Sequence, residues 1–452
     1  MQNKKTYISN ATIINEGETF NGGVLIQGDR ILHVYHGDER PDEHIDMSIN
    51  AKGNYLLPGV IDDHVHFRDP GLTHKANMRS ESKAAIAGGV TSIMDMPNTK
   101  PKTTTIEAWN DKMQLASEKC LANYSCYFGA SSDNYELLDK LDPKRFCGVK
   151  LFMGDSTGNM GVSENYIFEK FFCSTNKIIA VHAEDQEIIR ANLSAFSGID
   201  DIPLAKHPEI RNELACHTAT SQAIKMAKKC NSRLHILHIS TEMEMKLLAH
   251  EIDYTVPLIE RKITTEACIP HIQFSQLDYM ALGALIKVNP AIKKKKHREA
   301  LRLAIKEDRI DVIATDHAPH TLEEKRGGAL KAMSGMPSIQ FGLIAMLSLT
   351  SKKKSFSMEQ VVEKMCHNPA IIYGVEDRGF IREGYKADLV LVSPTDMYKV
   401  EDKDVLSSCG WTPMKKVRMT WKVEKTFVNG RLVYNNGEID ESLMGEELSF
   451  SR

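Results

Sequence analysis

His64 and His66 stand two apart at the end of the run Y-L-L-P-G-V-I-D-D-H-V-H. Residues i and i+2 of a strand share a face, so both imidazoles can reach one ion. An H-x-H pair alone is more often a hydrogen-bonded structural pair than a metal site. Four further residues change that reading: Lys150 in G-V-K-L-F-M, His182 in I-I-A-V-H-A, His238 in L-H-I-L-H-I and Asp316 in D-V-I-A-T-D-H each interrupt an apolar run at or near its C-terminal end. Polar groups on buried strands cost free energy unless they are paired or metal-bound. Five runs that each deliver a ligand type at one depth therefore point to a metal centre. Four imidazoles, one aspartate and one bridging anion suffice for two ions about 3.5–4 Å apart, and zinc suits those nitrogen and oxygen donors. A water between two such ions loses a proton near neutral pH and becomes a hydroxide nucleophile, while Asp316 both holds a metal and carries the proton.

Lys150 reads in two ways. As an ammonium it repels a cation, and is then a buried lysine of lowered pKa or the partner of Asp155. As a neutral amine it adds carbon dioxide to give a carbamate, whose two oxygens can bridge two metals.

The rest of the chain supplies the elements that must position these groups. Its 452 residues, 42% hydrophobic and 26% charged, allow one large domain with additions or two domains. Up to residue 54 the texture is short strands broken by turn residues. From Tyr55 to the D-V-I-A-T-D-H run, eight apolar runs alternate with longer helix-compatible stretches, which predicts an α/β fold, a (β/α)8 TIM barrel with its site at the C-terminal strand ends. An open sheet is the alternative. After about residue 379 the β texture returns, with N-G twice offering a hairpin turn. The expected division is a barrel over 55–378 and a small β-sandwich-like domain, discontinuous, built from 1–54 and 379–452.

Lys plus Arg (57) against Asp plus Glu (60) leaves −3 with both signs scattered, which argues against nucleic acid or a charged membrane as partner and favours a small molecule. The nine cysteines are odd in number and never in C-x-x-C, so neither a disulfide framework nor a zinc ribbon is expected. No apolar segment follows the first lysines and no run of about 18 apolar residues occurs. A cytoplasmic protein is the expectation.

The segments D-D-H-V-H-F-R-D-P-G-L-T-H-K and A-A-I-A-G-G-V-T-S-I-M-D-M-P-N-T-K-P, then G-V-K-L-F-M-G, V-H-A-E-D, L-H-I-L-H-I-S-T-E, K-V-N-P and A-T-D-H-A-P-H-T-L-E-E-K, resemble in order and spacing the dihydroorotases of the amidohydrolase superfamily. With G-Y-K-A-D-L-V-L-V and K-T-F-V-N-G-R-L-V-Y the resemblance runs from about Asn10 to Gly437. It implies reversible closure of N-carbamoyl-L-aspartate to L-dihydroorotate in pyrimidine biosynthesis. It also implies two Zn2+ per subunit, with His64, His66, Lys150, His182, His238 and Asp316 as ligands. Arg68 matches the arginine that holds the substrate carboxylate, Asn98, Asn289 and His320 match substrate contacts, and Ser334 and Gly335 fall where backbone meets the ring. Against these roles stand plainer ones: a surface ion pair for Arg68, less favoured because a guanidinium fork is the usual device for a carboxylate, and ordinary loop caps or turn residues for Asn98, Asn289 and His320.

Three departures stand out. K-L-F-M-G-D-S-T-G makes Asp155 a rival to carbamylated Lys150 as the bridging group. P-A-I-K-K-K-K-H-R replaces the family's P-P-L-R, and Lys293–Lys296 read as a solvated helix start or as positive potential at the mouth. I-P-H-I replaces P-H-H, leaving His271 structural. An allantoinase or hydantoinase is the nearest rival activity, and a non-catalytic scaffold of the same fold is the rival of another class. A homodimer and association with the preceding transcarbamoylase are compatible assemblies. The loop from His320 to Met336 is either a lid or an ordinary exposed loop.

Overall fold

A computed structural model describes residues 4–154, 160–162, 165–351 and 356–451. The chain opens with strands β1 (Lys5–Asn15), β2 (Glu18–Gln27), β3 (Arg30–His36), β4 (Met47–Asn50) and β5 (Tyr55–Pro58). The barrel strands follow: β6 (Val60–Val65), β7 (Val90–Asp95), β8 (Asn123–Cys126), β9 (Phe128–Gly129), β10 (Val149–Met153), β11 (Gly161–Val162), β12 (Ile178–Ala183), β13 (Arg233–Ile236), β14 (Ile263–Cys268) and β15 (Val312–Ala314). Four more, β16 (Leu389–Tyr398), β17 (Met419–Val428), β18 (Arg431–Asn435) and β19 (Glu438–Ile439), end the series.

All eight predicted apolar runs contain barrel strands. β6, β7 and β8 pair in parallel, β9 continues β8 and pairs β10, and β10, β12, β13, β14 and β15 pair in turn. A parallel bridge from His317 to Val65 and the His66 N–H bond to His317 O (2.8 Å) close the ring. Every residue of β6, β7, β10, β12 and β14 is buried, the pattern of a parallel sheet covered on both faces. The helices between them carry their own stop signals. In Glu213–Cys230, the Asn212 side chain accepts from the Ala215 N–H, and Asn231 ends the helix in the left-handed region at φ 51°.

The terminal strands form one nine-stranded sheet, ordered β19-β18-β17-β16-β5-β1-β2-β3, with β4 also on β1. The join between the two ends is β5 against β16, antiparallel, Leu389 opposite Pro58. Asn429-Gly430 and Asn436-Gly437, all four at positive φ, make the two predicted tight turns. The run from Tyr55 to His66, read from sequence as one barrel strand, is two strands in different sheets. Gly59 separates them, and a Cβ there would lie 2.1 Å from Thr91 Oγ1. We propose the division 1–54 with 379–452 against 55–378 as the domain arrangement, with β5 going to the terminal sheet. The helix Ile339–Thr350, buried along most of its length, lies against β17 and ties that sheet to the barrel.

One feature was not among the sequence expectations. Cys173 and Cys230 are joined by a disulfide, Cα–Cα 4.8 Å, between helices Asn165–Ser174 and Glu213–Cys230. Cysteine count and spacing are one-dimensional signals, whereas this pair is created by two helices packing side by side 57 residues apart in sequence. It is a single link rather than a framework, and seven cysteines stay free.

Candidate active site

Eleven of the twelve singled-out residues line one cleft at the C-terminal ends of the barrel strands: His64, His66, Arg68, Asn98, Lys150, His182, His238, Asn289, Asp316, Ser334 and Gly335. His320, the twelfth, stands directly behind Arg68, its Nε2 3.1 Å from Arg68 NH2. Asp155 lies outside the described residues, so the rival bridging group has no placement. Three of the eleven hold the left-handed region, Arg68 (φ 68°), His238 (φ 37°) and Asp316 (φ 46°). Non-glycine residues pay for that conformation, and such outliers gather at functional sites. Gly335 has φ 138°, and a Cβ on it would sit 2.5 Å from Ala318 O, so only glycine lets this loop approach the cleft.

The candidate ligands fall into two groups. His64 Nε2 and His66 Nε2 lie 3.4 and 3.3 Å from Asp316 Oδ1. His182 Nδ1 and His238 Nε2 are 2.9 Å apart, and the His64 and His238 rings are 5.4 Å apart, so the two groups adjoin. Three of the four rings are oriented from behind. His64 Nδ1–H donates to Glu266 Oε1 (2.9 Å) and His66 Nδ1–H to Asn98 Oδ1 (2.7 Å). His182 Nε2 stands 3.1 Å from Glu184 Oε2, whose carboxylate is paired with Arg211. These contacts leave His64 Nε2, His66 Nε2 and His182 Nδ1 as the lone-pair edges that face the cleft, the arrangement of metal-binding imidazoles.

The electrostatics agree with a bound cation. Burial alone works against charge on His64, yet Glu266 and Asp316 outweigh it and raise its pKa, so this spot favours a positive charge. Burial pushes His66 down to about 4 and His238 well down, so both are neutral donors at pH 7. Burial opposes ionisation of Asp316 too, but His64 and His66 prevail and hold its carboxyl well below the usual range. Lys150 Nζ is buried without a hydrogen-bond partner, 4.6 Å from the Phe152 ring centroid, and burial lowers its pKa to about 7. An amine that is half neutral at pH 7 can react with carbon dioxide. The donor set therefore fits two divalent ions.

Sequence reading missed several residues that this geometry uses. Glu266, wholly buried on β14, accepts from His64 and also from the His238 backbone N–H (2.8 Å), tying a ligand of one strand to the strained backbone of another. Its signal was present, a carboxylate inside the apolar run I-T-T-E-A-C-I-P. Glu266→Gln should lower zinc affinity about 10–100-fold in a chelator competition. Unchanged affinity would mean that Glu266 serves only the barrel interior. Phe152 and Ala318 complete the cleft wall.

The remaining expectations divide. His271 Nε2 donates to Pro290 O (2.8 Å). Of the lysine run, Lys294, Lys295 and Lys296 are exposed at the start of helix Lys295–Lys306, but Lys293 is buried, with Nζ 3.1 Å from Ser240 Oγ and Ala291 O. The His320–Met336 loop is pinned by buried Lys325, whose Nζ donates to the carbonyls of Lys287, Met333 and Gly335.

A closed parallel barrel with imidazoles and an aspartate on its C-terminal rim is the layout of metal-dependent amide hydrolases, and residues 55–433 match the Amidohydrolase family, to which the chain belongs. Among curated relatives it is 33% identical over 373 residues to the dihydroorotase of Halobacterium salinarum, covering 82% of this chain and 84% of that one. It is 32% identical over 430 residues to the dihydroorotase of Pyrococcus furiosus, covering 95% and 93%. The fold is also that of the L-hydantoinase (dihydropyrimidinase) from Arthrobacter aurescens, with TM-score 0.92 over 99% of this chain and 100% of that one at 23% identity. Among the described residues no helix is long and apolar enough to cross a membrane.

Proposed function

We propose that the chain is a dihydroorotase, catalysing the reversible cyclisation of N-carbamoyl-L-aspartate to L-dihydroorotate with two zinc ions held by His64, His66, His182, His238, Asp316 and a carbamylated Lys150. The observation that carries the reading is Arg68, a guanidinium 2% exposed, lining the same cleft as the ligand set. A hydantoin or dihydrouracil ring has no carboxylate to justify burying that charge, whereas dihydroorotate does. Identity of about 30% to several dihydroorotases over most of the chain supports it independently. The reading carries a cytoplasmic location and a small-molecule substrate with it.

When bound, the metals supply Lewis acidity and a water acidic enough to act as nucleophile at neutral pH. The protein does the rest. Arg68, Asn98 and His320 fix the free carboxylate and so the orientation of the ring. Asn289, whose Oδ1 accepts from Ser334 Oγ (3.0 Å), and the Ser334–Gly335 backbone face the ring edge. Asp316, ionised in the resting site, takes the proton of the nucleophile and returns it to the departing ring nitrogen. In the biosynthetic direction it removes the ureido proton instead.

Side-by-side assays of dihydroorotate, allantoin and dihydrouracil on zinc-loaded protein test the assignment, and absence of dihydroorotate turnover would end it. Arg68→Met should raise KM for dihydroorotate about 100-fold while zinc content stays at the wild-type level. Equal loss of both would make Arg68 a structural residue.

A further inference from the structure

Behind the carboxylate end of the cleft stands a cation, the last residue of the D-D-H-V-H-F-R-D-P-G-L-T-H-K segment, to which neither the sequence reading nor the proposed mechanism gives a role. Lys75 is 6% exposed, and its Nζ lies 3.1 Å from His320 Nδ1 and 2.9 Å from Glu324 Oε1. An ammonium has only donors to offer, so a contact with imidazole at this distance is favourable only when Nδ1 carries a lone pair. Glu324 Oε2 is also near Nδ1, but farther at 3.3 Å, and already accepts from the Thr321 N–H. His320 itself is neutral: burial, then Arg68, hold its pKa well below the ordinary value. The single ring proton then belongs on Nε2, which faces Ser334 O at 3.1 Å and Arg68 NH2 at 3.1 Å.

We propose that Lys75 is a positioning residue that fixes His320 as its Nε2–H tautomer and so builds the carboxylate-recognition end of the site. In that tautomer Nε2–H has Ser334 O as its acceptor and offers Arg68 no lone pair. The guanidinium is then preorganised for a carboxylate rather than spent on an internal hydrogen bond to the ring. In the other tautomer Nε2 accepts from Arg68, and a guanidinium donor is consumed inside the protein. Glu324, ionised and paired with Lys75, keeps the ammonium aimed at the ring. The inference rests on the dihydroorotase reading and names what makes that site selective for an acidic ring.

The test is Lys75→Met in the zinc-loaded enzyme, with Lys75→Arg as the conservative companion. Expected are a KM for dihydroorotate raised at least tenfold with the smaller change in kcat, unchanged zinc content, and recovery of most of the loss in Lys75→Arg. Selectivity for dihydroorotate over dihydrouracil, the same ring without the carboxylate, should fall by a similar factor. Nitrogen-15 NMR should find the His320 proton on Nε2 in the wild type and on Nδ1 in Lys75→Met. A wild-type proton on Nδ1, or a tautomer and KM that both survive Lys75→Met, overturns the proposal. If Lys75→Met does not fold, Lys75→Arg and the wild-type spectrum still decide it. Wild-type protein that fails to turn over dihydroorotate would instead fail the functional reading, and the spectrum would be read separately from it.

Discussion

Lys150→Ala protein is expected to purify with about one zinc or less per chain and to lose about 10³-fold or more in kcat/KM. The reason lies in what surrounds the amine. Lys150 Nζ is buried, has no hydrogen-bond partner, and has its pKa lowered from 10.5 to about 7 by burial, with Glu266 and Asp316 opposing the shift. That shift corresponds to about 5 kcal/mol against the ammonium form, a large cost for a side chain that does nothing. The cost disappears if the nitrogen is not an ammonium: the neutral amine adds carbon dioxide, one proton leaves, and the resulting carbamate would be an anion in a cleft that favours metal cations. A small carboxylic acid such as propionate should restore part of the activity of Lys150→Ala by filling the vacated space with the same charge. The pH dependence has a definite sign. Below about pH 7 Lys150 is protonated and unreactive, so activation of metal-free wild type by zinc and bicarbonate should rise through pH 7 and level off above it. A lysine of ordinary pKa would keep rising towards pH 10. Lys150→Ala that keeps two zinc ions, with Asp155→Ala losing them, would transfer the bridging role to Asp155.

Much of this site was legible because one physical rule, that charge inside a buried strand needs a partner, applies residue by residue along the chain. It singled out His64, His66, Lys150, His182, His238 and Asp316, which the fold brings to one cleft. Applied without exception it would have singled out Glu266 as well, since that carboxylate interrupts its run in the same way. Lys75 closes the quoted D-P-G-L-T-H-K segment yet drew no role, because it sits in a loop where a lysine is usually solvated and only the return of the chain at His320, 245 residues later, buries it. The Cys173–Cys230 link was hidden for a similar reason. The split at Gly59 was hidden differently: apolar alternation runs unbroken through Y-L-L-P-G-V-I, and only the pairing partners, β16 on one side and β7 on the other, show that it serves two sheets. The last residues of the β module also reach the barrel, where Leu448 N–H donates to Tyr124 O and Phe450 N–H to Lys144 O (2.9 Å each).

Asp316→Asn is expected to lower kcat about 10³–10⁴-fold while KM for dihydroorotate changes little, because Arg68, Asn98 and His320 hold the carboxylate and are untouched. The choice of asparagine follows from the backbone. Asp316 has φ 46°, a conformation that Asp and Asn tolerate and alanine does not, so Asn removes the charge and the proton acceptor without adding strain. The carboxylate does two things that the amide cannot. Its Oδ1 lies within 3.4 Å of both His64 Nε2 and His66 Nε2, as the one anion in that half of the donor set. It is also ionised in the resting site, since the two imidazoles outweigh the effect of burial, so it is ready to accept a proton at the pH where the nucleophile must lose one. These roles separate experimentally. If Asp316 only held metal, saturating zinc would restore Asp316→Asn to near the wild-type rate. If it carries the proton, the deficit persists at full occupancy, and a fast-reacting substrate whose leaving nitrogen needs no protonation should lose far less than dihydroorotate. A zinc-saturated Asp316→Asn enzyme working within tenfold of wild type would take proton transfer away from this residue and leave it a ligand alone.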